Sequence, residues 1–225
     1  MRTCSCLIVA LAAALAAAAA EPPGAPKAQL PNLRLDVKSK TIEIDGKFCI
    51  GEYPLELFAC QNELRDYESM VSSPCKPSVL HTALLAIGLK PRVRDKKDPA
   101  RILREGDPID IRIRFQRDGK SVTLEPRELI VNLETKKHID ATPWVFYGSF
   151  LFPSPDDPKR MIYLADSEQW LIGVLGDTAS VIDLHPAHIG RYGTLAIDVK
   201  AAPPSGAKAT IIITPARKPA GGGKP

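Results

Sequence analysis

Apolar and polar residues alternate most regularly in the stretch IDIRIRF, residues 109–115. An alternation with a period of two predicts a strand that has one buried face and one face in water. Asp118 and Gly119 follow this stretch, and the Asp-Gly dipeptide is typical of the tight turn of a β-hairpin. The second strand of that hairpin is then predicted in SVTL, residues 121–124.

A similar signal lies nearer the N-terminus, where Asp45-Gly46 separates TIEI (41–44) from KFCI (47–50). This pattern predicts another two-residue hairpin. Further short apolar runs follow with Gly, Pro or Asp between them, which is typical of an antiparallel sheet or a sandwich. The further candidate strands are 128–133, 144–152, 161–165, 170–175, 194–199 and 210–214.

One helix is predicted near residues 77–88. Pro77 suits the first helical turn, where its missing N–H group has no partner in any case. The apolar residues recur at the spacing of one helix face, Gly88 is placed to end the helix, and Pro91 prevents its continuation. A helix this short is not stable alone and must pack on the sheet. The predicted fold class is α+β: a β-rich, mostly antiparallel, sandwich-like domain with one short packed helix.

The two ends of the chain differ in composition from its body. A positive residue precedes a long apolar run and small residues, and this order predicts a secretory signal peptide over residues 1–20. The Pro-rich residues 21–32 and the Pro/Gly/Lys-rich residues 215–225 are predicted to be a disordered spacer and a disordered tail. The ordered domain is then 33–214. We expect an exported protein, periplasmic or cell-surface or secreted, with no transmembrane segment in the mature chain.

The charge pattern argues against nucleic-acid binding. The chain has 30 basic and 26 acidic residues and a formal net charge of +4, with both signs interspersed. A protein that binds nucleic acid is expected to carry a basic stripe with aromatic residues between the charges. The densest basic run, residues 90–97, is interrupted by Pro91 and Asp95 and fits a solvated loop. The partner expected from these features is a protein or a component of the cell envelope.

Three cysteines remain after removal of the signal peptide: Cys49, Cys60 and Cys75. In an oxidising compartment two of them are expected to form a disulfide, which leaves one thiol over. The sequence does not choose among the three pairings.

Cys60, Glu68, Cys75 and His81 form a candidate metal site. Thiolate, carboxylate and imidazole are the ligands that Zn²⁺ uses in proteins. Their spacing matches no standard zinc motif, so a structural alternative stays open, in which two cysteines pair and Glu68 accepts backbone N–H groups. A third interpretation is a Cys–His nucleophile pair of a hydrolase or transferase. No third, orienting group is indicated, and no catalytic residue is assigned.

Two further groups of residues suit binding. On a strand, Trp144, Phe146 and Phe150 share one face, which suits the stacking of a sugar or a partner peptide, although such residues more often belong to the core. His185 and His188 have a ligand-like spacing. The proline between them argues against a helix that would place both rings on one side, and an exposed loop is the simpler interpretation.

The chain resembles the YdjY-domain family. The resemblance is specific in PLELFAC (54–60), YES (67–69) and HTALLAIGLKP (81–91), and looser in WVFYGS (144–149) and TIIITP (210–215). It covers most of the ordered body and implies that residues 33–214 form one β-rich domain.

The resemblance implies an uncharacterised exported bacterial protein with no established activity. Some members carry closely spaced cysteines for an iron–sulfur cluster, and this chain has no such run. We therefore expect a non-catalytic binding or interaction domain of unknown ligand that needs no cofactor. The alternative is a metal- or redox-linked protein that uses Cys60, Glu68, Cys75 and His81, with a single zinc ion as the cofactor.

Overall fold

The structure, a computed structural model, covers the predicted domain and little of the chain ends. The predicted signal peptide lies outside the described residues, as do most of the spacer, His188 and the tail from residue 217. The residues described are 28–51, 54–62, 64–98, 101–141, 143–176, 179–185 and 192–216.

Strands make up 43% of the residues that the structure describes, and helices make up 12%. The β-rich class predicted from the sequence is therefore confirmed. The first nine strands are β1 Ala28–Leu30, β2 Leu33–Asp36, β3 Thr41–Phe48, β4 Leu57–Gln61, β5 Ser69–Ser73, β6 Val93–Arg94, β7 Ile102–Arg104, β8 Pro108–Arg117 and β9 Lys120–Leu124. The later strands are β10 Ile130–Asn132, β11 Lys137–His138, β12 Trp144–Phe146, β13 Leu151–Pro153, β14 Met161–Tyr163, β15 Trp170–Gly173, β16 Ile182–Leu184, β17 Leu195–Ile197 and β18 Lys208–Pro215.

The predicted helix is confirmed as α1, Pro77–Ala86. Its Leu80, Ala83 and Leu84 are buried, and they join the same apolar core as the strands. A second, short helix, α2, spans Leu164–Glu168, and 3₁₀ turns span Asp66–Glu68 and Pro126–Glu128. The side chain of Asp166 in α2 accepts a hydrogen bond from the backbone N–H of Ser78 at 2.8 Å, which ties the two helices together.

The main sheet closes into an eight-stranded barrel rather than a sandwich. Its strands follow the order β3-β18-β8-β12-β16-β15-β4-β5, and β5 then pairs with β3 to complete the circle. Two of these pairs are parallel, β15 with β16 and β4 with β5, and the others are antiparallel. The mostly antiparallel character predicted from the sequence is confirmed, and the sandwich-like arrangement is wrong.

The closure depends on two long strands, each of which pairs with two different strands along the same edge. Strand β3 pairs with β2 along its first half and with β5 through Lys47 and Phe48. Strand β8 likewise pairs with β12 near its start and with β9 along its second half. A barrel removes the exposed edges that an open sheet would have. The alternation of apolar and polar residues is the same in a barrel and in a sandwich, so it could not distinguish them.

Strand β3 also corrects one predicted turn. Asp45 and Gly46 do not form a hairpin but continue the strand, where they pair with Thr210 and Ala209 of β18. Glycine is required at position 46 because a Cβ atom there would lie 2.6 Å from the carbonyl oxygen of Ser72. The dipeptide therefore marks the close approach of β5. By contrast, Asp118-Gly119 does form the predicted turn between β8 and β9, and both residues have positive φ.

The predicted ends of the domain are also adjusted. Residues 28–30, assigned to the disordered spacer, form β1 and pair with β2. Pro215, assigned to the tail, is the last residue of β18 and pairs with Ile109. Backbone hydrogen bonding thus extends the ordered domain by a few residues on each side.

Candidate functional site

A groove of about 780 Å³ lies on the outer face of β3, β18 and β8. The inward residues of these strands are buried, whereas the outward ones are partly or fully exposed. Ser121 of β9 lines one side of the groove, and Ser72 and Ser73 of β5 line the other. We call this feature the outer groove.

The strand register arranges the floor of the outer groove in two rows. In the first row Lys47 of β3 lies directly opposite Lys208 of β18. In the second row Thr210 of β18 lies between Asp45 of β3 and Arg114 of β8. Residues opposite each other on one face of a sheet have neighbouring side chains, so each row presents its polar groups together.

Ion pairs hold the second row in place. The guanidinium group of Arg34 on β2 donates two hydrogen bonds to Asp45, one of them at 2.8 Å, and a third to Glu43 at 3.2 Å. Arg114 donates to the other oxygen of Glu43 at 3.0 Å, and the hydroxyl of Thr210 donates to Asp45 at 3.0 Å. The hydrogen bonds from Arg34 are the main reason that the pKa of Asp45 lies below its ordinary value. We call Arg34, Glu43, Asp45 and Arg114 the outer network.

Side-chain hydroxyls fix the edge of the groove beside β5. The Ser73 hydroxyl donates to the backbone oxygen of Asp45 at 2.7 Å and accepts the N–H of Cys75 at 3.1 Å. The side chain of Asn32 donates to the carbonyl oxygen of Pro74 at 3.1 Å. These bonds hold the segment after β5 against β3, so this wall is part of the barrel rather than a loose loop.

The outer groove has the chemistry of a binding site. Its described lining carries three cationic side chains, Lys47, Arg114 and Lys208, and one anionic one, Asp45, together with hydroxyl and amide groups. The described lining contains neither a thiol nor an imidazole, the groups most often used for nucleophilic attack and proton transfer. Charges and hydrogen bonds of this kind recognise a polar ligand.

The structure places the three predicted cysteines in buried positions. Cys49, Cys60 and Cys75 are all free thiols, so the expected disulfide is not formed among them. The Cys60 thiol contacts the backbone oxygen of Asn62 at 3.3 Å, and the Cys75 thiol contacts that of Lys76 at 3.6 Å. Burial raises the pKa of Cys60 to about 11 and that of Cys75 to about 12, and it also raises the pKa of Cys49. These thiols stay protonated at neutral pH.

His81 is held by the turn after β12. Its Nδ1 atom lies 2.8 Å from the hydroxyl of Tyr163, which donates to the backbone oxygen of Gly148 at 2.9 Å. Which of the two groups donates the proton in the His81–Tyr163 contact depends on the tautomer of the ring. Burial lowers the pKa of His81 below its ordinary value, so the ring is neutral at physiological pH.

Glu68 has a different set of partners. It is buried, and Arg65 donates to it at 3.2 Å and to Glu168 at 3.1 Å. Burial, followed by the nearby charge of Glu56, raises the pKa of Glu68.

The four residues of the candidate metal site thus have separate surroundings. No group of three or more His, Cys, Asp or Glu side chains that could hold a metal ion occurs in the part of the chain that the structure describes. Cys60, Glu68, Cys75 and His81 bind locally to a backbone oxygen, an arginine or a tyrosine instead. The geometry gives no support to a zinc site built from them.

The aromatic residues also separate. Trp144 and Phe146 lie in the core, with 5% and 0% of their surface exposed, whereas Phe150 is 45% exposed. Strand β12 ends at Phe146, and the positive φ angles of Gly148 and Ser149 turn the chain away. The three rings therefore do not share the face that a continuous strand would give them. His185, the described member of the predicted histidine pair, is partly buried and follows β16.

A buried polar cluster, which the sequence did not indicate, lies around Tyr147. The guanidinium of Arg92 stacks on the Tyr147 ring, 3.6 Å from its centre, and its Nε atom donates to Glu105 at 2.6 Å. Asp183 is fully buried and accepts the N–H groups of Gly176 and Leu184 at 2.8 and 2.7 Å. The Tyr147 hydroxyl donates to the backbone oxygen of Leu184 at 3.0 Å, which links the two halves. We call Arg92, Tyr147 and Asp183, together with Glu105 at their edge, whose side chain is 38% exposed, the buried polar cluster.

Sequence reasoning missed the outer groove because its residues are far apart in the chain. The alternation over 109–115 correctly marks the outward position of Arg114. It cannot show that Asp45 and Thr210, 165 residues apart, are hydrogen-bonded beside Arg114. The polar positions of each strand were visible, but the register that combines them was not.

No helix in the described part of the chain has the length and apolar character needed to cross a membrane.

Comparison with known proteins identifies the family. Residues 33–157 match the YdjY domain, and this segment runs from β2 past β13. It contains β3, β5 and β8 of the outer groove, while β18 lies beyond it. Searches of the curated proteins and of the solved structures gave no match. Because the match covers more than half of the chain, as the motifs in 54–91 predicted, the protein belongs to the YdjY domain family.

Proposed function

We propose that this protein is an exported, non-catalytic binding domain, and that the outer groove is its ligand site. It acts in the periplasm or at the cell surface, on a protein or a component of the cell envelope. The observation that carries the proposal is the outer groove itself: about 780 Å³ lined by cationic, hydroxyl and amide groups that the barrel holds in register.

The inside of the barrel supports this choice because its side chains form an apolar core. Some barrels hold a small molecule in their interior. Here the inward residues of the long strands, such as Ile42, Ile113 and Ile211, are fully buried in one apolar core. We therefore expect the ligand on the outside, where the outer groove of about 780 Å³ is larger than a second concavity of about 370 Å³ beside Asp110 and Pro126.

The state of the thiols and of His81 supports a non-catalytic role. A nucleophilic cysteine needs a lowered pKa and access to solvent. Cys49, Cys60 and Cys75 are buried with raised pKa values, and His81 is engaged with Tyr163. We expect iodoacetamide at pH 8 to leave all three thiols of residues 21–225 unmodified in the native protein and to modify all three in guanidinium. Rapid modification of one native thiol, measured by mass spectrometry, would contradict the non-catalytic assignment.

The ligand site can be tested by filling it. Ser121 and Thr123 are both exposed, lie on the same face of β9, and differ in that only Ser121 lines the groove. We expect Ser121→Trp to weaken binding to isolated bacterial cell-envelope fractions by roughly tenfold or more, because the indole occupies the groove. Thr123→Trp is the matched control and should bind like the natural protein. Equal binding by both variants would exclude the outer groove as the ligand site.

Export is tested separately. A fusion of residues 1–32 to alkaline phosphatase, which is active only outside the cytoplasm, should give active enzyme in a bacterial host. The same fusion with a charged residue in the apolar run 7–20 should be inactive, since the run is what the export machinery recognises. Activity that does not depend on the apolar run would contradict the signal-peptide prediction.

A further inference from the structure

The densest basic run of the sequence belongs to a hairpin outside the barrel sheet. Residues 90–97, interpreted from the sequence as a solvated loop, contain β6, which pairs with β7 in a two-stranded sheet of their own. Beyond the two strands, the backbone N–H of Asp95 donates to the carbonyl oxygen of Arg101 at 2.9 Å. We call residues 93–98 and 101–104 the basic hairpin.

The base of the basic hairpin is fixed to the barrel. The backbone N–H of Arg92 donates to the carbonyl oxygen of Phe146 in β12 at 2.8 Å. The buried side chain of Arg92 is paired with Glu105 at 2.6 Å, which joins the two arms of the hairpin where they leave the barrel. Glycine is required at position 106, because a Cβ atom there would lie 2.0 Å from the oxygen of Phe146. The buried polar cluster thus fixes the direction in which the basic hairpin leaves the barrel.

The surface of the basic hairpin combines positive charge with exposed aliphatic side chains. The aliphatic ones are Val93 and Ile102, each 41% exposed, and Leu103, 55% exposed. The exposed basic ones are Lys96, Lys97, Arg101 and Arg104. Asp95 pairs with Arg101 at 3.5 Å, but residues 93–104 contain five basic residues and only two acidic ones, so the net charge is positive. Basic side chains beside exposed apolar ones suit the headgroup region of an anionic bilayer.

The composition of the basic hairpin suits other kinds of partner less well. The cores of protein–protein interfaces are enriched in aromatic residues and depleted in lysine, and single-stranded nucleic acids stack on aromatic rings. Residues 93–104 include no aromatic residue. The basic hairpin also lines neither the outer groove nor the smaller concavity beside Asp110. A lipid surface needs neither rings nor a pocket, because its molecules rearrange around the side chains that enter it.

We propose that the basic hairpin docks the protein on the surface of an anionic lipid bilayer. The aliphatic side chains of Val93, Ile102 and Leu103 enter the headgroup region, and Lys96 and Lys97 bind the lipid phosphates. This inference goes beyond the proposed function, because the outer groove and the basic hairpin share no residue.

The test is co-sedimentation of residues 21–225 with two kinds of vesicle. One contains equal parts of phosphatidylglycerol and phosphatidylcholine, and the other contains phosphatidylcholine alone. We expect binding to the anionic vesicles to be roughly tenfold tighter or more, because each basic side chain near an anionic surface contributes to the attraction. Raising sodium chloride from about 0.1 M to about 1 M should weaken this binding by roughly tenfold, since the Debye length falls from about 10 Å to about 3 Å.

Matched double variants assign the contribution of charge. Lys96→Gln combined with Lys97→Gln should weaken binding to the anionic vesicles by roughly tenfold or more. The control combines Lys136→Gln with Lys137→Gln, which removes two adjacent exposed lysines at the start of β11, in a different sheet. Both double variants have the same net charge, so only the position of the lost charges differs. The control should bind like the natural protein.

Single variants assign the contribution of the aliphatic side chains. Leu103→Asn should weaken binding to the anionic vesicles by roughly tenfold, because less apolar surface enters the headgroup region. Leu64→Asn is the control, since Leu64 is 69% exposed but lies outside the basic hairpin, and it should bind normally. In addition, Leu103→Trp should show a blue shift of its fluorescence on mixing with anionic vesicles, whereas Leu64→Trp should not.

Several results would overturn the proposal. They are equal binding to the two kinds of vesicle, no binding to either, or equal losses for the two double lysine variants, which would indicate attraction by net charge alone. An effect of the lysines without any effect of Leu103→Asn or any blue shift would instead indicate an acidic protein partner. Ser121→Trp should bind vesicles like the natural protein. The envelope experiment on Ser121→Trp, repeated with Lys96 and Lys97 changed to Gln, tests the outer groove separately.

Discussion

The outer network and the buried polar cluster are both built around an arginine and carboxylates, yet they differ in what surrounds them. In the outer network the side chain of Asp45 is 57% exposed and that of Arg34 is 42% exposed. In the buried polar cluster the side chain of Arg92 is 2% exposed and Asp183 is fully buried. The first set of groups is solvated in the absence of any partner, whereas the second depends on the fold for its hydrogen bonds.

The difference in exposure determines how much each region contributes to the free energy of unfolding. A buried polar group that loses its partner pays the full cost of desolvation, while an exposed ion pair contributes little. One such cost is present in the interior, because the Nη2 atom of Arg92 is buried without a hydrogen-bond partner among the described residues. We therefore expect changes in the buried polar cluster to alter folding, and changes in the outer groove to alter binding with little effect on folding.

The largest effect is expected at Gly173. A Cβ atom at this position would lie 2.1 Å from the carboxylate of Asp183, so Gly173→Ala must displace a buried charge. We expect it to lower the free energy of unfolding by about 3 kcal/mol or more, measured by urea denaturation. Gly119→Ala is the control, since its Cβ meets nothing within 4 Å and only the positive φ of 74° is unfavourable, at a cost of about 1 kcal/mol. Equal losses for both variants would show that Asp183 is not rigidly held.

A direct comparison of the two regions replaces one carboxylate in each. Asp183→Asn keeps the shape of the side chain but gives up an acceptor oxygen among N–H and hydroxyl donors, and should cost about 2 kcal/mol. Asp45→Asn in the outer network should cost less than about 1 kcal/mol, since its partners can turn to water. Thermal or urea unfolding of the two variants side by side gives the comparison. A larger loss for Asp45→Asn would reverse our assignment of the two regions.

The effect expected for His81 is of intermediate size: it should make the free energy of unfolding depend on pH. Its pKa in the folded protein is lowered by burial, so between that pKa and the unfolded value of 6.5 only the unfolded chain is protonated. The free energy of unfolding should therefore decrease as the pH falls from 6.5, by up to about 1.4 kcal/mol for each unit by which the pKa is lowered. His81→Gln should flatten this part of the profile. An unchanged profile in the variant would show that other groups cause the pH dependence.

The smallest effect is expected for Arg34→Lys. A lysine keeps the charge but cannot donate to Asp45 and Glu43 in the forked geometry of the guanidinium. Because these pairs are exposed, we expect a change of less than about 1 kcal/mol in the free energy of unfolding. A loss as large as that of Asp183→Asn would mean that the outer network supports the barrel itself.

The sequence predicts those parts of the fold that depend on neighbouring residues. The alternation in 109–115 gives the two faces of β8, and Pro77 and Gly88 bound the helix to within a few residues. The Asp-Gly signal shows the limit of such reasoning. At 118–119 the glycine provides a positive φ for a turn, whereas at 45–46 it provides space for the backbone of β5. Local sequence does not distinguish these two uses of glycine.

The candidate site was less predictable than the fold. Cys60, Glu68, Cys75 and His81 are close in sequence and have the chemistry of a metal site, yet each is bound to a different neighbour. The outer groove is formed by residues with ordinary polar side chains, such as Lys47 and Lys208. Only the register of strands that are far apart in the sequence brings these residues together. Spacing along the chain is informative for short motifs, but it does not reveal a site that a barrel assembles.

The position of β18 has a consequence for how the chain is made. This strand lies between β3 and β8, and the contact of Thr210 with Asp45 spans 165 residues. Contacts of such long range form slowly, because a long loop must be closed before they give any stabilisation. Until residues 208–215 have been synthesised, β3 and β8 each lack a neighbour, and neither the barrel nor the outer groove can exist. The barrel therefore cannot be completed strand by strand from β3, and its folding waits for β18.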